Sequence, residues 1–418
     1  MPELSRRDLV ARTGLAAAAA VLARPAMVEA ATDLRDWRAV RAQFDLDPTR
    51  IHLASFLLAA HPRPVRQAIE RHRRSLDRDA ARYLEANGGR LARDAREAAA
   101  RFLGVPADEV ALTDSTTMGL GLLYARLTLR STDEVLTTEH DFYATHEALR
   151  LSGARVRRVA LYDDPSHATV DEIVTRLRRA VSTRTRLVAL TWVHSSTGVK
   201  LPVAAIASAL PERVLLCVDG VHGLGAEGAK VRELRCDAFV SGCHKWLYGP
   251  RGTGVLWANA RVRELTRPTI PSFEDGASYL AWLSGTAPGG IADGPRLTPG
   301  GFHSFEHRWA LGEAFRFHER IGRKRIEMRV HSLARRLKTG LGEVRGVRVH
   351  TPSAAALSAG LVCFEVAGAD PGTVVDRLAE HRVVASVTPY ARRYVRLGPG
   401  IVNTPAEVDA AVRAIAAL

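Results

Sequence analysis

Between residues 61 and 260 the chain alternates short apolar runs with longer stretches of helical periodicity, and few folds accept that pattern. The runs lie at residues 110–113, 134–137, 187–190, 214–218, 238–240 and 254–257. A strand with one wet face alternates apolar and polar residues, whereas an uninterrupted apolar run suits a strand covered on both faces. Strands of that kind separated by helices predict an α/β fold built on a mostly parallel sheet. At 418 residues the chain has room for more than one domain.

Residues 265–303 break the pattern with many Gly and Pro, and are expected to form long loops leading to a boundary near residue 300. Beyond it the periodicity predicts one long helix over 309–341 and strand-like pieces at 360–366, 383–387 and 394–397. A closing helix is expected from Thr404 and Pro405, with Thr as N-cap and Pro at the first helical position. These pieces make a smaller C-terminal α+β domain. The expected division is 1–30, a signal; 31–60, a segment packing on the small domain; 61–299, the large domain; and 300–418, the small domain.

The signal rests on Ser5-Arg6-Arg7-Asp8-Leu9-Val10, a twin-arginine pattern followed by an Ala-rich apolar stretch over 14–23. Val28-Glu29-Ala30 suits a cleavage site. The apolar stretch is too short for a permanent membrane span. The expected destination is periplasmic or secreted, by a route that carries folded proteins, with no other membrane partner.

Net charge is +14, but the arginines are spread over many helix-like stretches. That reads as a solvated basic surface. Nucleic-acid binding needs the charge gathered on one face, so no nucleic-acid partner is expected. Cys217, Cys236, Cys243 and Cys363 show neither CxxC nor metal spacing and read as buried free thiols.

Asp219 closes the apolar run that ends at Val218, and a carboxylate there points into the ligand crevice of an open sheet. The next run ends in Ser241-Gly242-Cys243-His244-Lys245. An amine that condenses with an aldehyde must be partly neutral, which partial burial favours. A pyridine nitrogen stays protonated when a carboxylate lies beside it. Asp219 and Lys245, on strands that could be neighbours, supply both requirements of pyridoxal 5′-phosphate (PLP), with Lys245 forming the Schiff base.

At these residues the sequence resembles the class V aminotransferase family of fold-type I PLP-dependent enzymes, from about Ile51 onward. Val218-Asp219-Gly220-Val221-His222 matches the family's D-x-x-H/Q, and Ser241 to Lys245 matches its S-x-H-K. Asp114-Ser115-Thr116-Thr117 matches its G-T-T-E turn, with Ser for Gly and Met118 for Glu. The segment from Tyr394 through Arg396 to Asn403-Thr404 matches its C-terminal signature.

The resemblance implies a seven-stranded, mostly parallel sheet in the large domain and a homodimer. It implies that Asp219 and Lys245 are catalytic and that His222 reaches the cofactor's ring oxygen. Ser241, His244, Thr116 and Thr117 would hold phosphate, helix starts being general anion sites. Ser195 would lie near the ring, Phe142 in preference to Tyr143 would stack on it, and Arg396 would bind the substrate α-carboxylate. Lys245, once released, becomes the base for the α-proton.

Three departures bear on the reaction. The family's G-T beyond residue 300 is absent; Gly300 to Trp309 stands there, so either His307 or Arg308 replaces its phosphate contact or the phosphate site is rebuilt. The stretch 386–393 holds Thr388, Pro389 and Tyr390 but no Cys, which argues against persulfide-forming desulfurase activity. With Ile51 to Ser55, that absence brings the chain nearest to isopenicillin N epimerase-like proteins. The expected function is therefore amino-acid turnover of epimerase or aminotransferase type. A PLP-dependent β-lyase, or an exported PLP-binding protein without turnover, remains as the alternative. Neither His303/His307 nor the formal GxGxxG at Gly223 to Gly228 reads as a metal or dinucleotide site.

Overall fold

A computed structural model describes residues 33–125 and 127–418. The twin-arginine segment lies outside the described residues. All six apolar runs become strands of one sheet, which gains a seventh: β1 Val110–Thr113, β2 Glu134–Thr138, β3 Val156–Val159, β4 Thr185–Thr191, β5 Leu215–Asp219, β6 Ala238–Gly242 and β7 Gly254–Ala258. The spatial order is β1-β7-β6-β5-β4-β2-β3. Only β7 runs against the rest, pairing antiparallel with β1 and β6. The fold is thus the expected mostly parallel seven-stranded α/β type. The added strand, β3, is amphipathic and half-exposed at the sheet edge, so no apolar run announced it.

Alternate strand residues enter opposite cores. Val188, Leu190, Leu216 and Val218 face one apolar cluster; Leu187, Ala189, Leu215 and Cys217 face the other. Helices cover both sides, and each fully buried aliphatic side chain contributes roughly 1.5–3 kcal/mol. The four cysteines are free and buried, as expected.

Residues 34–418 form one compact unit. Within it a second, antiparallel sheet has the order β10-β11-β9-β8, from β8 Val347–Val349, β9 Val362–Val366, β10 Ser386–Val387 and β11 Val395–Leu397. The strand-like stretch 383–387 divides: Val383–Val384 pairs instead with Ile51–His52 in a parallel two-stranded sheet. The expected single helix over 309–341 is two, Phe305–Ile321 and Arg323–Gly342. Gly322 separates them at φ 95°, a conformation that is costly for any residue with a Cβ. The segment expected to be all loop contains the helices Gly276–Leu283 and Gly294–Leu297. The closing helix Pro405–Ala416 starts as expected, Thr404 and Glu407 forming a capping box.

The GxGxxG glycines serve close packing. Gly225 has φ 89°, and a Cβ on it would lie 2.6 Å from backbone atoms of Trp246 and Leu247, beside Lys245. Gly225→Ala is therefore expected to destabilise the protein by at least about 1–3 kcal/mol, read as a lower urea midpoint.

Candidate active site

Every parallel strand of the large sheet ends at the same edge, and there the candidate residues gather. Open α/β sheets bind ligands at this edge because the strand ends diverge into crossovers and leave a crevice. Asp219 is the last residue of β5, and Lys245 lies three residues past the end of β6. The two strands are neighbours in parallel register.

Lys245 Nζ lies 3.4 Å from His222 Nε2. On the other side of that imidazole, Trp246 Nε1 donates to His222 Nδ1 at 3.4 Å. An indole N–H is only a donor, so Nδ1 accepts and the proton of neutral His222 sits on Nε2. Burial, then Lys245 and Arg396, holds His222 well below the usual imidazole range. It therefore presents a neutral N–H donor beside the lysine.

Burial pushes the Asp219 carboxyl up, opposed by the Val221 N–H and by Lys245. Burial likewise pushes the Lys245 amine down, opposed by Asp219. Val221 N donates to Asp219 Oδ1 at 3.0 Å, which leaves Oδ2 for a ligand. This pair has the partly neutral amine and the buried carboxylate that the chemistry requires.

A cup lies between β1 and β6. Gly242 N donates to Thr116 Oγ1 at 2.7 Å, so the threonine hydroxyl proton remains available to an acceptor. Thr116 begins the helix Thr116–Ala125, whose free N–H groups favour an anion. A Cβ on Gly242 would meet His244 Cε1 at 2.9 Å and Thr116 Oγ1 at 3.1 Å, so the glycine keeps a small cradle open between those two side chains. Ser241 is fully buried and donates to the Gly242 carbonyl at 2.9 Å. Thr117 stands exposed at the rim. Helix start, hydroxyl and imidazole suit a phosphate.

The two residues offered as substitutes for the G-T contact are already engaged. His307 Nδ1 lies 3.0 Å from the Arg251 carbonyl. Buried Arg308 pairs with Asp114 at 3.1 Å and with Glu274 at 3.7 Å. Arg308 thus braces the residue just before the phosphate turn.

At the opposite end, Arg396 on β11 is 3% exposed. It donates to Ser386 Oγ at 3.1 Å, the Ser195 carbonyl at 3.3 Å and the Val387 carbonyl at 3.2 Å. All are neutral acceptors, and among the described residues no carboxylate pairs with it. Its guanidinium lies 5.1 Å above the Phe56 ring. A buried cation without a counter-ion is costly and is ready for a carboxylate ligand.

Phe142 follows β2. Asp141 fixes that turn, accepting from Thr138 N at 2.8 Å, Thr137 Oγ1 at 2.9 Å and Thr191 N across the sheet at 2.7 Å. Phe142 meets Tyr390 edge-on at 5.9 Å, and Tyr390 Oη lies 2.7 Å from Ser195 Oγ. Tyr143 is 67% exposed. His140 lies flat on Tyr162 at 3.9 Å. Sequence reasoning misses Trp246, Phe56, Asp141 and Tyr390 as parts of the site. Only Tyr390 carries a signal in the sequence, standing in the stretch where desulfurases place their cysteine.

The sequence profile of class V aminotransferases matches residues 61–410.

The chain belongs to that family.

It is 27% identical over 406 residues to isopenicillin N epimerase of Streptomyces clavuligerus, covering 92% of this chain and 98% of the relative. It is 27% identical over 341 residues to a probable cysteine desulfurase of Vibrio cholerae, covering 77% and 81%. Among solved structures, a C-DES mutant with glycine covalently linked to its PLP cofactor superposes with a TM-score of 0.81 at 21% identity, over 90% of this chain and 98% of that one. That likeness bears on the fold. The protein is a class V aminotransferase-type enzyme and its cofactor is PLP. The residues described above fit that cofactor: an amine, a buried carboxylate, a neutral donor and a phosphate cup along one sheet edge.

Proposed function

We propose that the enzyme removes the α-proton of an amino acid and returns a proton, in the manner of an epimerase or aminotransferase. One observation carries this reading: Arg396, a buried guanidinium with only neutral partners, stands at the far end of a crevice whose other members are Lys245, Asp219 and His222. Arg396 would hold the substrate carboxylate. Lys245, which holds the cofactor covalently at rest, would take the α-proton on its amine once displaced. Asp219 would keep a proton on the ring nitrogen, and His222 would donate from Nε2 to the ring oxygen. Thr116, Thr117, Ser241 and His244 would line the phosphate cup; Ser195 and Phe142 would border the ring. Bound PLP supplies the electron sink for the pair left at the α-carbon.

The near-full-length match to isopenicillin N epimerase supports the epimerase form, as does the absence of Cys in the 386–393 stretch. One observation favours carbon–sulfur β-elimination instead. The Tyr390 hydroxyl, held by Ser195, is a neutral acid able to protonate a departing group.

Incubating the holoenzyme with amino acids in deuterated water is expected to label the α-carbon. Inversion without keto acid supports epimerisation; keto acid with ammonia supports elimination. A protein that holds PLP yet labels no amino acid would be a binding protein, and the proposal would fall.

We further propose a homodimer, exported folded and loaded by the twin-arginine route to a periplasmic or secreted site. An exposed apolar band of Phe273, Tyr279, Leu280, Trp282, Leu283 and Phe302 supports the dimer. We also propose the division into 61–299 and 300–418, supported by the separate sheets, with Leu311, Ala314 and Phe315 of the helix Phe305–Ile321 reaching into the large-sheet core.

A further inference from the structure

Inversion at an α-carbon delivers a proton to the face opposite the one that lost it. A positioned carrier on each face does this without turning the substrate over. Lys245 is one carrier, and the sheet order shows which flank lies away from it. Lys245 follows β6, Asp219 ends β5, Ser195 follows β4 and Phe142 follows β2, and these strands lie side by side in that order. Asp219 thus stands in the middle, with Lys245 on one flank and Ser195 and Phe142 on the other.

Tyr390 belongs to the second flank. Its Oη lies 2.7 Å from Ser195 Oγ, and its ring meets Phe142 edge-on at 5.9 Å. The carbonyl of the same Ser195 accepts from Arg396 Nη1 at 3.3 Å. One residue therefore borders both the phenol and the guanidinium that would hold the substrate carboxylate. The α-carbon is bonded directly to that carboxylate, which brings the reacting atom to the neighbourhood of the phenol.

The other candidate acids of this flank are poorly suited to the task. Asp141 accepts from Thr137 Oγ1, Thr138 N and Thr191 N. Burial holds His140 and His194 neutral, each at about 3, and a neutral imidazole is a far weaker acid than a phenol. Burial keeps the Tyr390 phenol above its usual range, opposed by the Ser195 bond and by Arg396. Its proton is therefore in place at neutral pH.

We propose that Tyr390 is the second proton carrier, the acid that completes inversion by protonating the α-carbon on the face away from Lys245. The proposal rests on the reading of Lys245 and Arg396 as the reacting pair. The α C–H bond breaks, its proton passes to Lys245 Nζ, and its electron pair is held in the sink that PLP supplies. A new C–H bond forms from that pair and the proton of Tyr390 Oη. The phenolate left behind accepts from the Ser195 hydroxyl, and solvent carries a proton from Lys245 to Tyr390 to restore both groups.

The test incubates the holoenzyme and its Tyr390→Phe variant in deuterated water with each common protein L-amino acid. Deuterium at the α-carbon and handedness of the recovered amino acid are measured separately. Wild type is expected to yield a D form that carries deuterium. In Tyr390→Phe, inversion should fall by at least about 10²–10⁴-fold. Deuterium should still enter the L form, because Lys245 continues to remove and return the proton on its own face. α-Aminoisobutyrate, which has the amine and carboxylate but no α-proton, gives a readout apart from turnover. The visible absorbance change that it causes should saturate at the same concentration in both proteins. A variant that inverts as wild type does overturns the role. So does a variant that loses labelling together with inversion, or one that binds α-aminoisobutyrate more weakly, which would mark Tyr390 as a brace for Ser195. Wild type that labels the L form without yielding the D form removes the role of Tyr390 and leaves Lys245 and Arg396 standing. Wild type that labels no amino acid removes the reading of Lys245 and Arg396 as well.

Discussion

Lys245→Ala protein is expected to carry no cofactor that borohydride can fix to the chain, and to lose α-proton exchange by at least about 10²–10⁴-fold. The two losses have one origin. The amine sits at the end of β6 beside buried Asp219, and removing it deletes both the covalent anchor and the base. Lys245→Arg is expected to fail equally, because guanidinium keeps the charge but is not a nucleophile at neutral pH. The pH dependence follows from the direction of the shift. Burial pushes the Lys245 amine down, so cofactor capture by stripped protein should rise with pH through that depressed value, where the amine becomes neutral. The measurements are the visible spectrum, mass after reduction and deuterium uptake. An unchanged band with a reduced adduct in Lys245→Ala would remove the assignment.

Much of this site is legible in the amino-acid sequence, and the reason is geometric. A strand end fixes where its next residues point. Two apolar runs therefore place Asp219 and Lys245, at or just past strand ends, and the family motifs add His222 and Thr116. What stays hidden depends on contacts distant in sequence. Trp246 sets the His222 tautomer, Phe56 reaches Arg396 from the N-terminal segment, and Asp141 ties β2 to β4. None of these contacts has a local pattern. Secondary structure departs from expectation where one backbone angle decides it: Gly322 interrupts an unbroken periodicity, and the half-exposed β3 lacks the apolar signature. In sequence His307 and Arg308 look free because their partners, the Arg251 carbonyl, Asp114 and Glu274, lie far away along the chain.

Arg396→Gln is expected to move catalysis and stability in opposite directions. In catalysis, losing one partner of a buried charge pair costs about 2–5 kcal/mol. That corresponds to a fall in kcat/KM of about 30- to 5,000-fold for any α-amino acid, since each carries the carboxylate. Arg396→Lys should recover only part, because a single ammonium cannot reproduce the two-pronged fork. In the protein without substrate the balance differs. Arg396 is buried, its guanidinium bonds only to Ser386, Ser195 and Val387, and no carboxylate among the described residues offsets it. Glutamine removes that uncompensated charge, so the unfolding midpoint of the substrate-free variant is expected to equal or exceed wild type. Adding a non-reactive carboxylate ligand should raise the wild-type midpoint and leave the variant unmoved, because a ligand stabilises only the state that binds it. A variant that loses activity and stability together would mark Arg396 as a structural brace between β11 and the Ser195 turn, with the substrate carboxylate bound elsewhere.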